Sequence, residues 1–354
     1  MRKTNINIAH RLISEPLAIF VFFFLTLITN NSILNAQDIH FSQFFAAPLL
    51  TNPASTGMAG DNFRIANNYR NQWAQVGEPY ETFCTSVDKK VVVLNNTFGV
   101  GGLVIHDQSS AFNLSANEFF LSFSYSRFFR NQLVTFGLQP GFAFKSFNLK
   151  NVTFGTQFDQ FNELFSSALP SMENGLGDRL QFFDLNMGVF WTTLLQNYTP
   201  SAGISLSHIN FPIQRFSTSS EGTRLPMRVT FKGEVIVPFN SHIDLTPCIL
   251  YSYTPGAIEF LFGSKGDYRL EKSPVVKDLF AVTMFRVNPF RNIDAWILGG
   301  GVSFMNFDLG LTYDFNISPL RKATNFNGAF EISLMYTGGR HARKSAYQPC
   351  YILN

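Results

Sequence analysis

The sequence predicts an all-β protein: a transmembrane antiparallel β-barrel of about fourteen strands, preceded by a plug-like N-terminal segment. Three observations predict it. Apolar residues recur with period 2 along most of the chain. Charged residues make up 14% of the 354, against roughly 25% in soluble proteins, while 41 are Phe. A secretory leader stands in front.

The leader occupies residues 1–36. Arg2, Lys3 and Arg11 precede an apolar run from Leu17 to Ile28, and small or polar residues follow as far as Ala36. A run of about a dozen residues is too short to span a bilayer, which takes about 20. The expected cleavage falls between Ala36 and Gln37, and no Cys follows it to carry a lipid. Residues 37–61 come next, with Phe41, Phe44, Phe45, Leu49 and Leu50. Five such side chains are too apolar to hang in water, so this segment is expected to fold into the barrel or against its periplasmic rim as a plug.

The barrel is expected over residues 62–337. In Met227 to Val237, Val229, Phe231, Gly233, Val235 and Val237 alternate with Arg228, Thr230, Lys232 and Glu234, one face for lipid and one for the lumen. In Phe307 to Phe315, Phe307, Leu309, Leu311, Tyr313 and Phe315 oppose Asp308, Gly310, Thr312 and Asp314. In Glu118 to Phe128, Phe119, Leu121, Phe123 and Tyr125 oppose Glu118, Ser122, Ser124 and Ser126, with Phe120 the exception. Strands are expected near 62–71, 80–88, 97–106, 114–128, 132–147, 181–191, 199–208, 225–238, 242–254, 257–270, 277–288, 292–303, 306–315 and 325–337. The count is even, as a closed bacterial barrel requires.

Loop lengths separate a membrane barrel from a soluble sandwich, which would alternate in the same way. The connections near 148–180, 209–224 and 316–324 follow odd-numbered strands and are long, whereas those near 129–131, 239–241 and 304–305 follow even-numbered strands and are tight. That asymmetry is the outer-membrane pattern, with both termini in the periplasm. The short connections at Pro255–Gly256 and Pro289–Arg291 depart from it. Phe98, Tyr125, Phe128, Trp191, Tyr253, Trp296 and Tyr336 lie at strand ends, where interfacial girdles form. The last strand, Asn325 to Tyr336, ends in an aromatic residue, as a closing strand does. A basic tail, residues 338–354 with Arg340, Arg343 and Lys344, would lie in the periplasm.

Little in the chain suggests chemistry. His40, His106, His208, His242 and His341 are scattered, with no HExxH pair, so no metal is expected. Ser205 to His208 reads as an alternating strand end; a catalytic triad needs an oriented third partner and an oxyanion hole. Gly99, Gly101 and Gly102 lie inside a strand, not before a helix, and are no dinucleotide loop. Gly299–Gly300–Gly301 points to close backbone approach or sharp curvature. Cys84, Cys248 and Cys350 are odd in number and far apart, which makes no disulfide framework. A net charge of +3 is too small for a nucleic-acid binder. No enzyme and no cofactor are expected. The 148–180 loop carries Phe154, Phe158, Phe161 and Phe165, which either pack into the barrel mouth or form a partner-binding patch.

The run Gln37 to Phe45, with Phe41, Ser42 and Gln43, is followed by Asn52–Pro53–Ala54 and Gly57, and then by Tyr69–Arg70–Asn71–Gln72–Trp73. These elements, in this order, resemble the opening of the PorP/SprF family of Bacteroidetes outer-membrane proteins. Pro79 to Thr82, Ser86–Val87–Asp88, Phe98 to Gly102 and Gly137 to Gly141 are similar further along. The chain departs from the family pattern at Thr51, Ser55 and Thr56 and in its 348–352 ending. The resemblance implies a part in type IX secretion and gliding motility: export or surface retention of large adhesins through their C-terminal sorting domains. Its implied partners are such an adhesin, other type IX secretion components and outer-membrane lipid. The alternative is an outer-membrane channel or hydrophobic-solute transporter, since a barrel of this size can enclose a lumen.

Overall fold

A computed structural model describes residues 38–59, 63–75, 79–109, 114–147, 155–159, 164–166, 169, 179–195, 198–215, 222–270, 273, 275–288 and 292–338. The expected leader, its cleavage site at Ala36 and Gln37, and the basic tail lie outside the described residues.

Fourteen strands close into one antiparallel barrel. They are β1 (Phe63–Gln72), β2 (Tyr80–Val93), β3 (Asn96–Ser109), β4 (Leu114–Phe129), β5 (Gln132–Phe147), β6 (Arg179–Thr193), β7 (Thr199–Ser207), β8 (Arg228–Pro238), β9 (Ile243–Thr254), β10 (Ala257–Arg269), β11 (Val276–Asn288), β12 (Asn292–Phe304), β13 (Phe307–Asn316) and β14 (Asn327–Thr337). Each expected strand is present, and several run a few residues longer than the alternation indicates. Two small hairpins sit in the long loops, Phe158–Asp159 with Leu164–Phe165 and Ile213–Gln214 with Thr223–Arg224. Closure is made by β1 against β14, with Arg70 opposite Glu331 and Arg64 opposite Thr337. A closed barrel leaves no strand edge unpaired, the condition for crossing lipid with strands.

The alternation sorts the side chains as expected. On β4, Leu121 is 60% exposed and its neighbour Ser122 is fully buried. The outer face is mainly apolar and aromatic, and most of the buried hydroxyls, amides and charges lie on the inner face. Outside, Phe262, Phe285 and Trp296 stack across β10, β11 and β12 with centroids 5.8 and 6.3 Å apart. Phe63, Phe307 and Tyr336 cluster on β1, β13 and β14 at the opposite end, and Phe98 meets Tyr125 at 5.4 Å. These form two aromatic bands, one toward each end of the barrel.

Connections after even-numbered strands are short. Leu94 and Asn95 both take positive φ, 48° and 61°, the type I′ geometry that suits a two-residue hairpin. The longest connections follow β5 and β7. Gly301 faces the ring of Phe280 and the carbonyl of Leu309 so closely that a Cβ would collide with both, so the triple glycine does reflect close approach.

Residues 38–59 lie inside the barrel. Phe41, Ser42, Gln43, Phe44, Leu49 and Ala54 are almost wholly buried. The inner wall has two apolar landings for them. Phe44, Phe45 and Ala46 pack with Cys248, Leu250, Leu261, Val282, Met284, Ile297 and Met335. Phe41 and Ala47 pack with Cys84, Leu103, Ile105 and Phe120. Phe120, the break in the β4 alternation, is therefore a lumen residue that receives the plug. The two described cysteines are free thiols in these landings.

Candidate functional site

The plug and its wall form a dense network of buried hydrogen bonds and ion pairs. Near its start, Asp38 lies 3.3 Å from His208, whose other ring nitrogen is 2.8 Å from Asp184 on β6. His208 directly follows β7, at the end of the barrel that carries the long loops. Burial by itself would lower the His208 pKa; its hydrogen bonds to Asp184 and Asp38, with their charges, outweigh burial and raise it to about 10. Asp38 is held below the usual carboxylate range, because His208 and the Arg228 charge together exceed the effect of burial. Arg228 also donates to the Ile39 carbonyl at 3.1 Å.

The next anchor centres on Ser42. Its hydroxyl is 2.8 Å from both carboxylate oxygens of Asp314, and its backbone N–H donates to Glu331 at 2.7 Å. The Gln43 N–H donates to the other Glu331 oxygen at 2.8 Å. Arg70 reaches Ser42 at 3.0 Å and ion-pairs with Glu331 and Asp314. Arg286 on β11 bridges Asp314 at 2.8 Å and Glu259 at 3.0 Å. His40 is 3.7 Å from Glu259; burial, together with the nearby arginine charges, depresses its pKa to about 4 against the pull of Glu259. Charges this deep are tolerable because each is paired and hydrogen-bonded.

Further on, the plug turns through a short helix, α1 (Pro48–Thr51), and a 3-10 turn, Pro53–Ser55. Asn52 caps that turn: its side-chain oxygen accepts from Ala54 N–H, while its amide donates to the Val189 and Ile204 carbonyls at 3.1 and 3.2 Å. The wall beneath is pared down to glycine. A Cβ on Gly188 would strike Asn52, one on Gly137 would strike Pro53 and Ala54, and one on Gly99 would strike Thr56. Gly57 has φ 74° and sits against Gly99 and Lys90, so both its conformation and its space call for glycine. Its N–H donates to Asp88 at 2.6 Å, and Asp88 is paired with Arg64 at 2.8 Å.

Two small cavities lie beside the plug among the described residues. A cavity lined by Phe45, Lys265 and Asp308, and another lined by His40, Phe44 and Arg228, are each about 30 Å³. Each has room for about one water.

The structure brings Phe41, Ser42, Gln43, Asn52, Pro53, Gly57 and Arg70 together at this interface. Tyr69 points outward instead, donating to Glu81 at 2.6 Å, and Trp73 lies beside Tyr80, centroids 5.7 Å apart. Phe158 and Phe165 are exposed and meet edge to face at 5.2 Å, whereas Phe154 and Phe161 lie outside the described residues. The gripping side chains Asp184, His208, Glu259, Arg286 and Glu331 have no local motif. For Asp184, Glu259, Arg286 and Glu331 the one signal in the sequence is a charge on the inner face of a strand in a charge-poor chain, while His208 stands just past a strand end. Among the described residues, no group of His, Cys, Asp and Glu has metal-holding geometry.

The sequence pattern described as type IX secretion system membrane protein PorP/SprF matches residues 33–336, which span the plug and nearly the whole barrel. The chain belongs to the PorP/SprF family. It is thus a type IX secretion membrane component, and as a PorP/SprF barrel it fits the outer membrane. No curated protein sequence matches it. Among solved structures, the CymD monoaromatic hydrocarbon channel aligns with a TM-score of 0.50 at 13% identity, covering 87% of this chain and 96% of that one. The toluene transporters TbuX of Ralstonia pickettii (TM-score 0.47, 12% identity, 82% and 92% covered) and TodX of Pseudomonas putida (0.45, 12%, 84% and 93%) are also similar. At 13% identity the likeness to CymD is one of fold alone.

Proposed function

We propose that this PorP/SprF barrel is a non-enzymatic outer-membrane platform that supports export or surface attachment of large adhesins bearing C-terminal sorting domains. The observation that carries this reading is the N-terminal segment seated inside the barrel. A barrel whose interior is occupied by its own N-terminal segment, locked by paired buried charges, works through its surfaces and not through a path.

The long-loop end, facing outward with the start of β1 and the end of β14 on the periplasmic side, is the surface offered to the adhesin. Phe158, Leu164, Phe165, Phe211 and Ile213 are exposed there, on the two small hairpins and the loop leading to one of them. Apolar side chains on loops are costly in water and suit a protein partner. Other type IX components and outer-membrane lipid complete the set of partners.

Deleting the gene and comparing surface and medium proteins with the parent strain tests the proposal. Loss or shedding of one large adhesin is expected; an unchanged surface proteome overturns it. A second reading, a channel or hydrophobic-solute transporter, draws on the fold shared with CymD. Steady conductance of the intact protein in planar bilayers would bring that reading forward.

A further inference from the structure

The outer wall is not uniform. Along β2 to β6, one row of outward side chains runs Thr85, Val104, Phe119, Phe142, Phe183, each opposite the next in register. The row below runs Val87, Gly102, Leu121 and, on β5, Pro140. Gly102 contributes no side chain. Pro140 has no N–H to donate, and the β4–β5 ladder passes from Phe120–Gly141 to Phe123–Leu138 without pairing the residues between. Together they leave a groove of about 510 Å³ in the lipid-facing wall. That is the volume of a small-molecule site, roughly 300–1,000 Å³. Its floor is Leu103 and Phe120, both of which also pack with Phe41 of the plug.

We propose that this groove is a binding site for an acyl chain of a membrane phospholipid. It opens on the face that meets the bilayer, and every side chain in it except Thr85 is apolar or a glycine. An apolar hollow there excludes water, and hydrocarbon is the neighbour at hand. A charge stands where a headgroup would be. Lys89 follows Val87 on the same face of β2, about 7 Å further along at two strand rises. It is exposed and lies opposite Phe63 of the aromatic band. A lysine in that band suits a lipid phosphate. The site rests on the membrane barrel alone and stands or falls separately from the adhesin-export reading.

Glycine chemistry supplies the test. A Cβ on Gly102 would meet only the Phe120 carbonyl, at 3.6 Å, so Gly102→Leu fills the groove without straining the barrel. Gly266, also outward-facing, has equally open space, with only Leu245 at 3.5 Å, and Gly266→Leu is the control. The full mature protein is reconstituted in phosphatidylethanolamine vesicles containing phosphatidylglycerol with a diazirine-bearing acyl chain, then irradiated and digested. Crosslinks are expected to concentrate on β4 and β5. They fall severalfold in Gly102→Leu, because the new side chain fills the space an acyl chain would take, and hold in Gly266→Leu. Val104→Trp, from an exposed position in the row above, blocks the groove independently should Gly102→Leu fail to fold. Lys89→Glu reduces capture of the anionic probe more than that of a zwitterionic one. Crosslinks spread evenly around the barrel, or unchanged in both filling variants, overturn the proposal.

Discussion

Arg70 on β1 donates to the hydroxyl of Ser42 in the plug at 3.0 Å, while the same guanidinium pairs with Glu331 of the adjoining β14. One side chain thus ties the plug to the seam at which the barrel closes. Two elements of the family motif, widely separated in sequence, meet there.

Replacing Arg70 with Leu leaves Glu331 and part of the Asp314 charge buried without their partner. Breaking a buried pair from one side costs about 3–5 kcal/mol. The expected result is a plug that leaves its seat, read as protease cleavage within residues 38–59 while the barrel keeps its heat-modifiable migration on gels. Continued resistance of the segment would show that Ser42 and Gln43 hold without Arg70.

Gly188→Val tests the glycine rail. The new side chain would occupy the place of the Asn52 amide and deprive it of its bonds to Val189 and Ile204. An unsatisfied buried amide costs about 1–3 kcal/mol, so the 3-10 turn is expected to detach while the first anchor persists. Cleavage confined to residues after Asn52 is the signature.

Plug docking depends on pH in both directions. His40 is depressed to about 4 from 6.5, so docking favours its neutral form; that contribution is full above 6.5 and is lost as the pH falls through 4. His208 is raised to about 10, so docking favours its charged form; that contribution is full below 6.5 and is lost as the pH rises through 10. Protection of residues 38–59 should therefore peak near pH 6.5 and weaken on either side. His208→Gln is expected to flatten the alkaline limb and to remove the Asp38 contribution from the acid limb, leaving the part that comes from His40.

Removing residues 38–59 should convert a silent barrel into a conducting one in planar bilayers, since the charged inner face would then meet water. Equal silence before and after would mean that inward wall residues close the lumen by themselves.

The sequence by itself determined the barrel. Each of the fourteen strands announces itself through alternation, because a strand's two faces meet different solvents and the period of 2 is a local property. The apolar load of residues 38–59 showed that the segment must be covered, and the motif singled out Ser42, Gln43, Asn52, Gly57 and Arg70. What covers it was decided only by tertiary structure. Glu331 and Asp314 meet Ser42 across 289 and 272 residues of chain, and His208 meets Asp38 across 170. No local pattern encodes such pairings. They exist because closure of the barrel brings β1, β11, β13 and β14 around one point, where isolated charges become partners and isolated glycines become a seat.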